Sequence, residues 1–205
     1  MAAGTIRAVL DAQAAARPDA VYAIAPETGR TLTFAALREA AHDLAAFLGE
    51  RGVAPGAKVA LYMGNGLATL RLFVATMYAG RTVVPLNLLA QAAQSEGRAQ
   101  ARAAERVQVA AAKLARPIAI VPCDIDADAR LAAGTAAALP PVTADDDALM
   151  MYTSGTTGQP KGVVLTHGNV VSAGTFVSQA HALGPQDRVL GTLPLYHING
   201  QIVQA

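Results

Sequence analysis

The chain has 205 residues, 53% of them hydrophobic, which supplies ample core material for one large domain or one and a half. A net charge of +1, 4% aromatic residues and no tryptophan give no electrostatic or stacking basis for binding nucleic acid or an anionic membrane. The single Cys123 cannot form a disulfide within these residues; it suits a reducing compartment and reads as a small core side chain rather than a nucleophile. No apolar run approaches the roughly 20 residues that span a bilayer. The alanine-rich N-terminus is broken by Asp11, Gln13 and Arg17, unlike the apolar core of a secretory signal. The expected location is the cytoplasm.

Ile6, Val9, Leu10 and Ala14 fall at helical spacing behind Thr5, a capping residue, and the helix should end near Arg17 because Pro18 follows. Residues 21–25 read as a short strand, 26–29 as a turn, and Leu32 as part of a second short strand. Thr33 precedes a helix with Leu37, Ala40, Ala41, Leu44 and Leu48 on its buried face, ending at Gly52. Next comes a strand (58–63), a helix (67–78) with Leu70, Val74, Met77 and Tyr78 inward, and a strand (82–86). Strand–helix–strand at this length predicts a parallel pair with a right-handed crossover. Gly64-Asn65-Gly66 stands where a dinucleotide fingerprint would begin, but Thr69 occupies the third glycine's place, so these glycines read as serving a tight turn.

Residues 88–116 are rich in Ala, Gln, Arg and Glu, favouring helix but with little to bury. A strand is expected at 118–121. Asp124, Asp126 and Asp128 have the spacing of a calcium loop, but Ala129 and Thr135 replace the required Gly and Glu, leaving a solvated acidic turn. Residues 127–142 read as helix followed by a Pro-Pro linker, and Asp145 to Asp147 as a solvated turn.

The most informative stretch is residues 150–165. An apolar run stops at Thr153-Ser154-Gly155-Thr156-Thr157-Gly158-Gln159-Pro160-Lys161-Gly162, and a second apolar run begins at Val163. The order is strand, loop, strand. Glycines let backbone approach a ligand, successive N–H groups form an anion nest, the hydroxyls add donors, and Lys161 adds a point charge. A Ser/Thr/Gly cluster between apolar runs is most often a plain turn, but a plain turn does not require this combination. The P-loop pattern G-x-x-x-x-G-K-[ST] fails here: Gly155 and Gly158 are too close, and Gly162 sits where the Mg²⁺-binding hydroxyl belongs. A polyphosphate cradle of another type is indicated. Beyond it, Thr166 or Asn169 can cap a helix to about Ala182, residues 187–193 read as a strand, and Pro194-Leu195-Tyr196-His197-Ile198-Asn199-Gly200 follows. His42, His167 and His181 show no metal-ligand spacing and read as ordinary.

Tyr152 to Gly162 matches [YF]-T-S-G-[ST]-T-G-x-P-K-G at every fixed position and so resembles the signature loop of the adenylate-forming superfamily: acyl- and aryl-CoA ligases, luciferases and peptide-synthetase adenylation domains. Residues 5–87 resemble the same family's N-terminal α/β region, and Pro194 to His197 resembles its next motif. The resemblance implies an α/β fold with a mostly parallel sheet flanked by helices, residues 1–205 forming the N-terminal part of an AMP-binding domain. It implies a two-step reaction: a carboxylic acid and Mg·ATP give an acyl-adenylate and pyrophosphate, and coenzyme A then displaces AMP. Thr153, Ser154, Gly155, Thr156, Thr157 and Gly158 would wrap the β- and γ-phosphates. Lys161 would neutralise them, and His197 would line the acid site near the α-phosphate. No protein-built metal site is implied.

The family's Y-G-x-T-E segment, ribose aspartate and C-terminal lid domain have no counterpart within these residues. The expectation is an N-terminal fragment, inactive alone, with Leu195, Tyr196 and the final helix exposed to a complementing half or to self-association. Two other readings stand beside it: a catalytically dead nucleotide- or partner-binding module, and a peptide-synthetase adenylation domain, disfavoured by Leu-Tyr-His-Ile-Asn-Gly. Fatty, aromatic and small dicarboxylic acids all remain open as substrates.

Overall fold

A computed structural model describes residues 4–86, 138–153 and 161–202, with the side chains of Thr153 and Ile202 left out. These residues belong to one of two compact units, Met1–Leu86 with Arg130–Ala205. The other unit, Asn87–Ala129, lies outside them, as do the expected helix at 88–116, the strand at 118–121, Cys123 and the Asp124–Asp128 turn.

Helix α1 (Ile6–Ala16) starts where the Thr5 hydroxyl accepts the Ala8 N–H at 3.1 Å, and ends at Arg17 because Pro18 disfavours helical geometry before it. Strands β1 (Val21–Ala25) and β2 (Arg30–Thr33) form a small antiparallel sheet. The Thr33 hydroxyl then caps α2 (Phe34–Glu50) by accepting the Ala36 N–H at 3.2 Å. Strand β3 (Lys58–Leu61), helix α3 (Leu67–Tyr78) and strand β4 (Thr82–Pro85) make the expected parallel unit, in register from Lys58↔Thr82 to Leu61↔Pro85. The one-sided face expected for α3 is too narrow. Thr69 and every residue from Leu72 to Tyr78 are buried, while Leu70 is only half-buried. The helix lies between the sheet and helices α1 and α2, so it is covered on more than one side.

Tyr78 ties these helices together. Its hydroxyl donates to Asp11 Oδ1 at 2.8 Å and lies 3.0 Å from His42 Nε2, and its carbonyl accepts from Arg7 Nε at 2.8 Å. One buried aromatic thus satisfies its polar tip on both α1 and α2.

The main sheet has the order β3–β4–β5–β6. Strand β5 (Asp147–Thr153) runs parallel to β4 through Val83↔Leu149, and β6 (Lys161–Thr166) turns back antiparallel, from Thr153↔Lys161 to Asp147↔Thr166. All four residues of β4 are buried, as a parallel strand covered on both faces requires. Val83, Ala148 and Leu149 have no exposed surface and join the helices in one core.

Thr166 and Asn169 form a reciprocal capping box at the start of helix α4 (His167–Ala180), with bonds of 3.2 and 3.1 Å. A five-residue helix, α5 (Ile198–Ile202), closes the described chain. The strand expected at 187–193 does not form. Hydropathy alone cannot make a strand: residues 187–193 have no ladder partner among the described residues, and Val189, Leu190 and Leu193 stay exposed. Leu195 and Tyr196, expected to be exposed, are half-buried; among the described residues Phe176 and Leu190 are the most exposed large apolar side chains, at 71% and 75%.

His167, which looked ordinary in sequence, is fully buried. Its Nδ1 accepts the Ile6 N–H at 3.4 Å, which puts the proton on Nε2, where no group among the described residues meets it. Burial pushes its pKa down to about 4; Asp146 opposes this and Arg7 reinforces it. The folded chain therefore holds a neutral imidazole, while the unfolded chain takes up a proton near pH 6.5. Stability should be complete above that pH and fall as pH drops towards 4. Urea unfolding should show a loss of about 2 kcal/mol between pH 7.5 and 5 that His167→Gln lacks. A His167 imidazole titrating near 6.5 in the folded chain, by NMR, would overturn this.

Candidate functional site

Parallel pairing of β3, β4 and β5 sends the carboxyl ends of all three strands to one edge of the sheet. In open α/β sheets this is the edge where ligands bind, because the turns that leave the strands carry free backbone donors there. Three chain segments with chemistry in the sequence converge on it. The first is the hairpin between β5 and β6. The last ladder pair is Thr153↔Lys161, with Tyr152↔Gly162 next inward. The hairpin therefore begins and ends in register, and Lys161, exposed to solvent, stands directly across from Thr153. Ser154, Gly155, Thr156, Thr157 and Gly158 lie outside the described residues, between those two anchors.

The second segment is the turn from β3 into α3. Gly66 begins the helix at φ 151°, a conformation that side-chain-bearing residues rarely adopt. Asn65 precedes it, exposed, with its carboxamide turned towards the third segment. Asn65 Oδ1 accepts the Leu195 N–H at 2.9 Å, and Nδ2 donates to the Leu193 carbonyl at 3.1 Å. Pro194, between them, has no N–H to offer.

The third segment is Pro194 to Gln201, which carries His197. The His197 N–H donates to the Pro194 carbonyl at 3.0 Å, and the ring Nδ1 accepts the Asn199 N–H at 3.4 Å, leaving the imidazole exposed. Gln201 is 3% exposed and its Nε2 donates to the Leu195 carbonyl at 2.6 Å. Gly200 packs against the turn so closely that a Cβ there would sit 2.3 Å from the Pro194 oxygen. The backbone around Pro194 is thus held by Asn65, by Gln201 and by the close packing of Gly200.

The structure therefore pairs Thr153 with Lys161 and brings the His197 segment to the same edge of the sheet. Sequence reasoning missed Asn65 and Gln201. In sequence Asn65 reads only as part of a turn, and Gln201, with Asn199 and Gln204 also polar nearby, carries no signal of its own. A cleft of about 380 Å³ lined by Pro55, Gly56, Gly80, Pro141, Asp147 and His167 opens at the opposite edge, where the parallel strands begin. Among the described residues, no group of His, Cys, Asp and Glu is arranged to hold a metal ion.

Comparison with known proteins identifies the family and the fold. The family model described as "AMP-binding enzyme" matches residues 10–205. A sulfoacetate–CoA ligase of Cupriavidus necator is 43% identical over 215 residues, covering 98% of this chain and 42% of its own length. A solved Mycobacterium tuberculosis fatty acyl CoA synthetase is similar at TM-score 0.72 and 28% identity, over 97% of this chain and 42% of that one. A nonribosomal peptide synthetase solved with α-methyl-L-serine-AMP is similar at TM-score 0.74 and 26% identity, over 98% of this chain and 22% of that one. The chain thus spans about two fifths of the length of the curated ligase it matches.

The two tight glycines of this edge should respond differently to a methyl group. At Gly162 a Cβ would crowd Met150 Cε, 2.5 Å away at the end of a flexible side chain that can swing aside, with Tyr152 Cε1 at an ordinary 3.7 Å. At Gly200 it meets backbone. Gly200→Ala should shift the amide NMR signals of residues 193–201, while Gly162→Ala leaves the β5–β6 ladder signals nearly in place. Equal tolerance at both positions would contradict the packing described.

Proposed function

The chain belongs to the AMP-binding enzyme family, and on that premise we propose that it is the N-terminal, phosphate-gripping part of an ATP-dependent carboxylic acid–CoA ligase. The observation that carries this reading is the hairpin at the carboxyl edge. Its ladder ends on Thr153↔Lys161, and between these anchors runs a segment of hydroxyls and glycines.

In the proposed reaction a carboxylate oxygen of the acid attacks the α-phosphorus of ATP. The bond from that phosphorus to the β-phosphate bridging oxygen breaks, and pyrophosphate leaves with the electron pair. The thiolate of coenzyme A then attacks the acyl carbon and AMP departs, leaving a thioester. Negative charge builds on the departing pyrophosphate, so the protein's contribution is positioning and electrostatic stabilisation. Backbone N–H groups and hydroxyls of Thr153, Ser154, Gly155, Thr156, Thr157 and Gly158 hold the β- and γ-oxygens, and the Lys161 ammonium neutralises them. Each charge-assisted bond contributes roughly 1.5–3 kcal/mol. Mg²⁺ enters as part of the nucleotide substrate, held mainly by phosphate oxygens. His197, exposed at the same edge, lines the acid site.

A CoA ligase is favoured over a peptide-synthetase adenylation domain by the Leu195-to-Gly200 segment and by the 43% identity to a CoA ligase. That relative makes sulfoacetate the first acid to test. The reading of a dead nucleotide- or partner-binding module differs in predicting no acid-dependent chemistry in the longer protein. The exposed apolar residues Val163, Val164, Phe176 and Leu190, on β6, α4 and the stretch after it, form the surface on which the remainder of a longer protein packs.

In the full-length enzyme, Lys161→Ala should lower acid-dependent ATP–pyrophosphate exchange by about a hundredfold or more; an unchanged rate sinks the assigned role. Residues 1–205 expressed alone should give no detectable exchange with any acid and should self-associate in light scattering. Robust exchange from that chain, or a clean monomer at high concentration, counts against the reading.

A further inference from the structure

We propose that Asn65 is a positioning residue for the acid site, holding His197 in place through the backbone on either side of Pro194. This deepens the ligase reading and rests on it for the role of His197. Three observations carry it. A carboxamide has a donor and an acceptor side by side, and Asn65 uses both on one stretch of backbone: Oδ1 on the Leu195 N–H at 2.9 Å and Nδ2 on the Leu193 carbonyl at 3.1 Å. Leu193 lies at a bend and Leu195 opens the turn closed by His197, so the one side chain clamps the backbone where it changes direction.

Residues 187–193, which lead into this stretch, have no ladder of their own among the described residues, so the Asn65 pair is a long-range fixture from the sheet onto it. The same backbone is also held by Gln201 on the Leu195 carbonyl and by the close packing of Gly200 against Pro194. The His197 N–H bonds directly to the Pro194 carbonyl, so a shift of the gripped backbone moves His197 with it.

The turn that carries Asn65 leaves the carboxyl end of β3, and the hairpin of Thr153 and Lys161 leaves the carboxyl end of β5, two strands away. At the usual strand spacing that is about 10 Å across the sheet. Asn65 thereby references the acid-side histidine to the same rigid sheet that carries the phosphate grip. In a two-substrate reaction, that shared reference is what keeps an attacking carboxylate in line with its phosphorus. Only a carboxamide supplies both bonds: a carboxylate loses the donor, and an alkyl group loses both.

The test uses the full-length enzyme, with amide exchange and His197 ring signals read by NMR. Asn65→Ala should speed exchange of the Leu195 amide by about tenfold, with the core amides of Val83 and Leu149 unchanged. Asn65→Asp, which keeps the acceptor, should preserve most of the Leu195 protection. Millimolar sulfoacetate should shift the His197 ring signals of the parent chain, and Asn65→Ala should weaken that response at least fivefold. A Leu195 amide equally protected in Asn65→Ala, or a His197 response undiminished in it, overturns the proposal. If the parent His197 ignores sulfoacetate and other carboxylates while the Leu195 amide depends on Asn65, the acid-site reading fails and the backbone grip stands.

Discussion

Everything at the candidate site depends on how β5 uses its two backbone edges. One edge pairs parallel with β4 through Val83↔Leu149, and the other pairs antiparallel with β6. The parallel pairing fixes the direction of β5, so its carboxyl end opens where β3 and β4 also end. The antiparallel pairing brings β6 back from that same edge, with Lys161 opposite Thr153. Val83, Ala148 and Leu149 are all fully buried, so a shift of the pairing would have to repack the core on both faces of the sheet. Register and burial together therefore fix Thr153 and Lys161 at the mouth of the loop.

What could be read from sequence follows the range of the interactions involved. Thr5, Thr33 and Thr166 each cap the helix that follows them, a bond spanning three residues, and all three helix starts were legible. The β3–α3–β4 unit was legible because its pattern is carried by about thirty neighbouring residues. The hairpin at the signature loop could be read from its motif, and the ladder bears out strand, loop, strand. Long-range features could not be read. Asn65 meets partners more than a hundred residues away, with nothing local to distinguish it from a turn asparagine. His167 follows a capping threonine and looks like a surface residue of a helix start, until the N-terminus of α1 places the Ile6 amide against it. The stretch 187–193 has strand-like hydropathy, but a strand is made by a partner, and hydropathy carries no record of whether one is present.

Burial across the main sheet is graded, and the site sits on the gradient. Strand β4 is buried at every residue, while in β6 the first four residues are exposed on both faces. Local opening costs least where few apolar contacts must be broken, so β6 and the segment after α4 are less protected than β4, the start of β5 and helix α3. Of the residues at the carboxyl edge, Thr153 ends β5 and Asn65 leads into α3, while Lys161 and His197 belong to the less protected elements. Each of the second pair is tied to one of the first. Lys161 is tied by its ladder pairing with Thr153, and His197 by the Asn65 carboxamide acting on the backbone beside it.

Those two ties solve the same physical problem. An ammonium that neutralises a leaving group and an imidazole that lines an acid site both need freedom to meet solvent and substrate, so neither can be buried in the core. An exposed side chain is well placed only if its backbone is, and exposed backbone is fixed by hydrogen bonds rather than by packing. Each net bond of this kind contributes only about 1 kcal/mol, so one bond would leave the segment free to fray. The His197 segment is accordingly held by several at once: two from Asn65, one from Gln201 and its own turn bond to Pro194, with Gly200 admitting the close approach. Without these bonds the histidine would still be present, but no longer referenced to the strand that carries the phosphate grip.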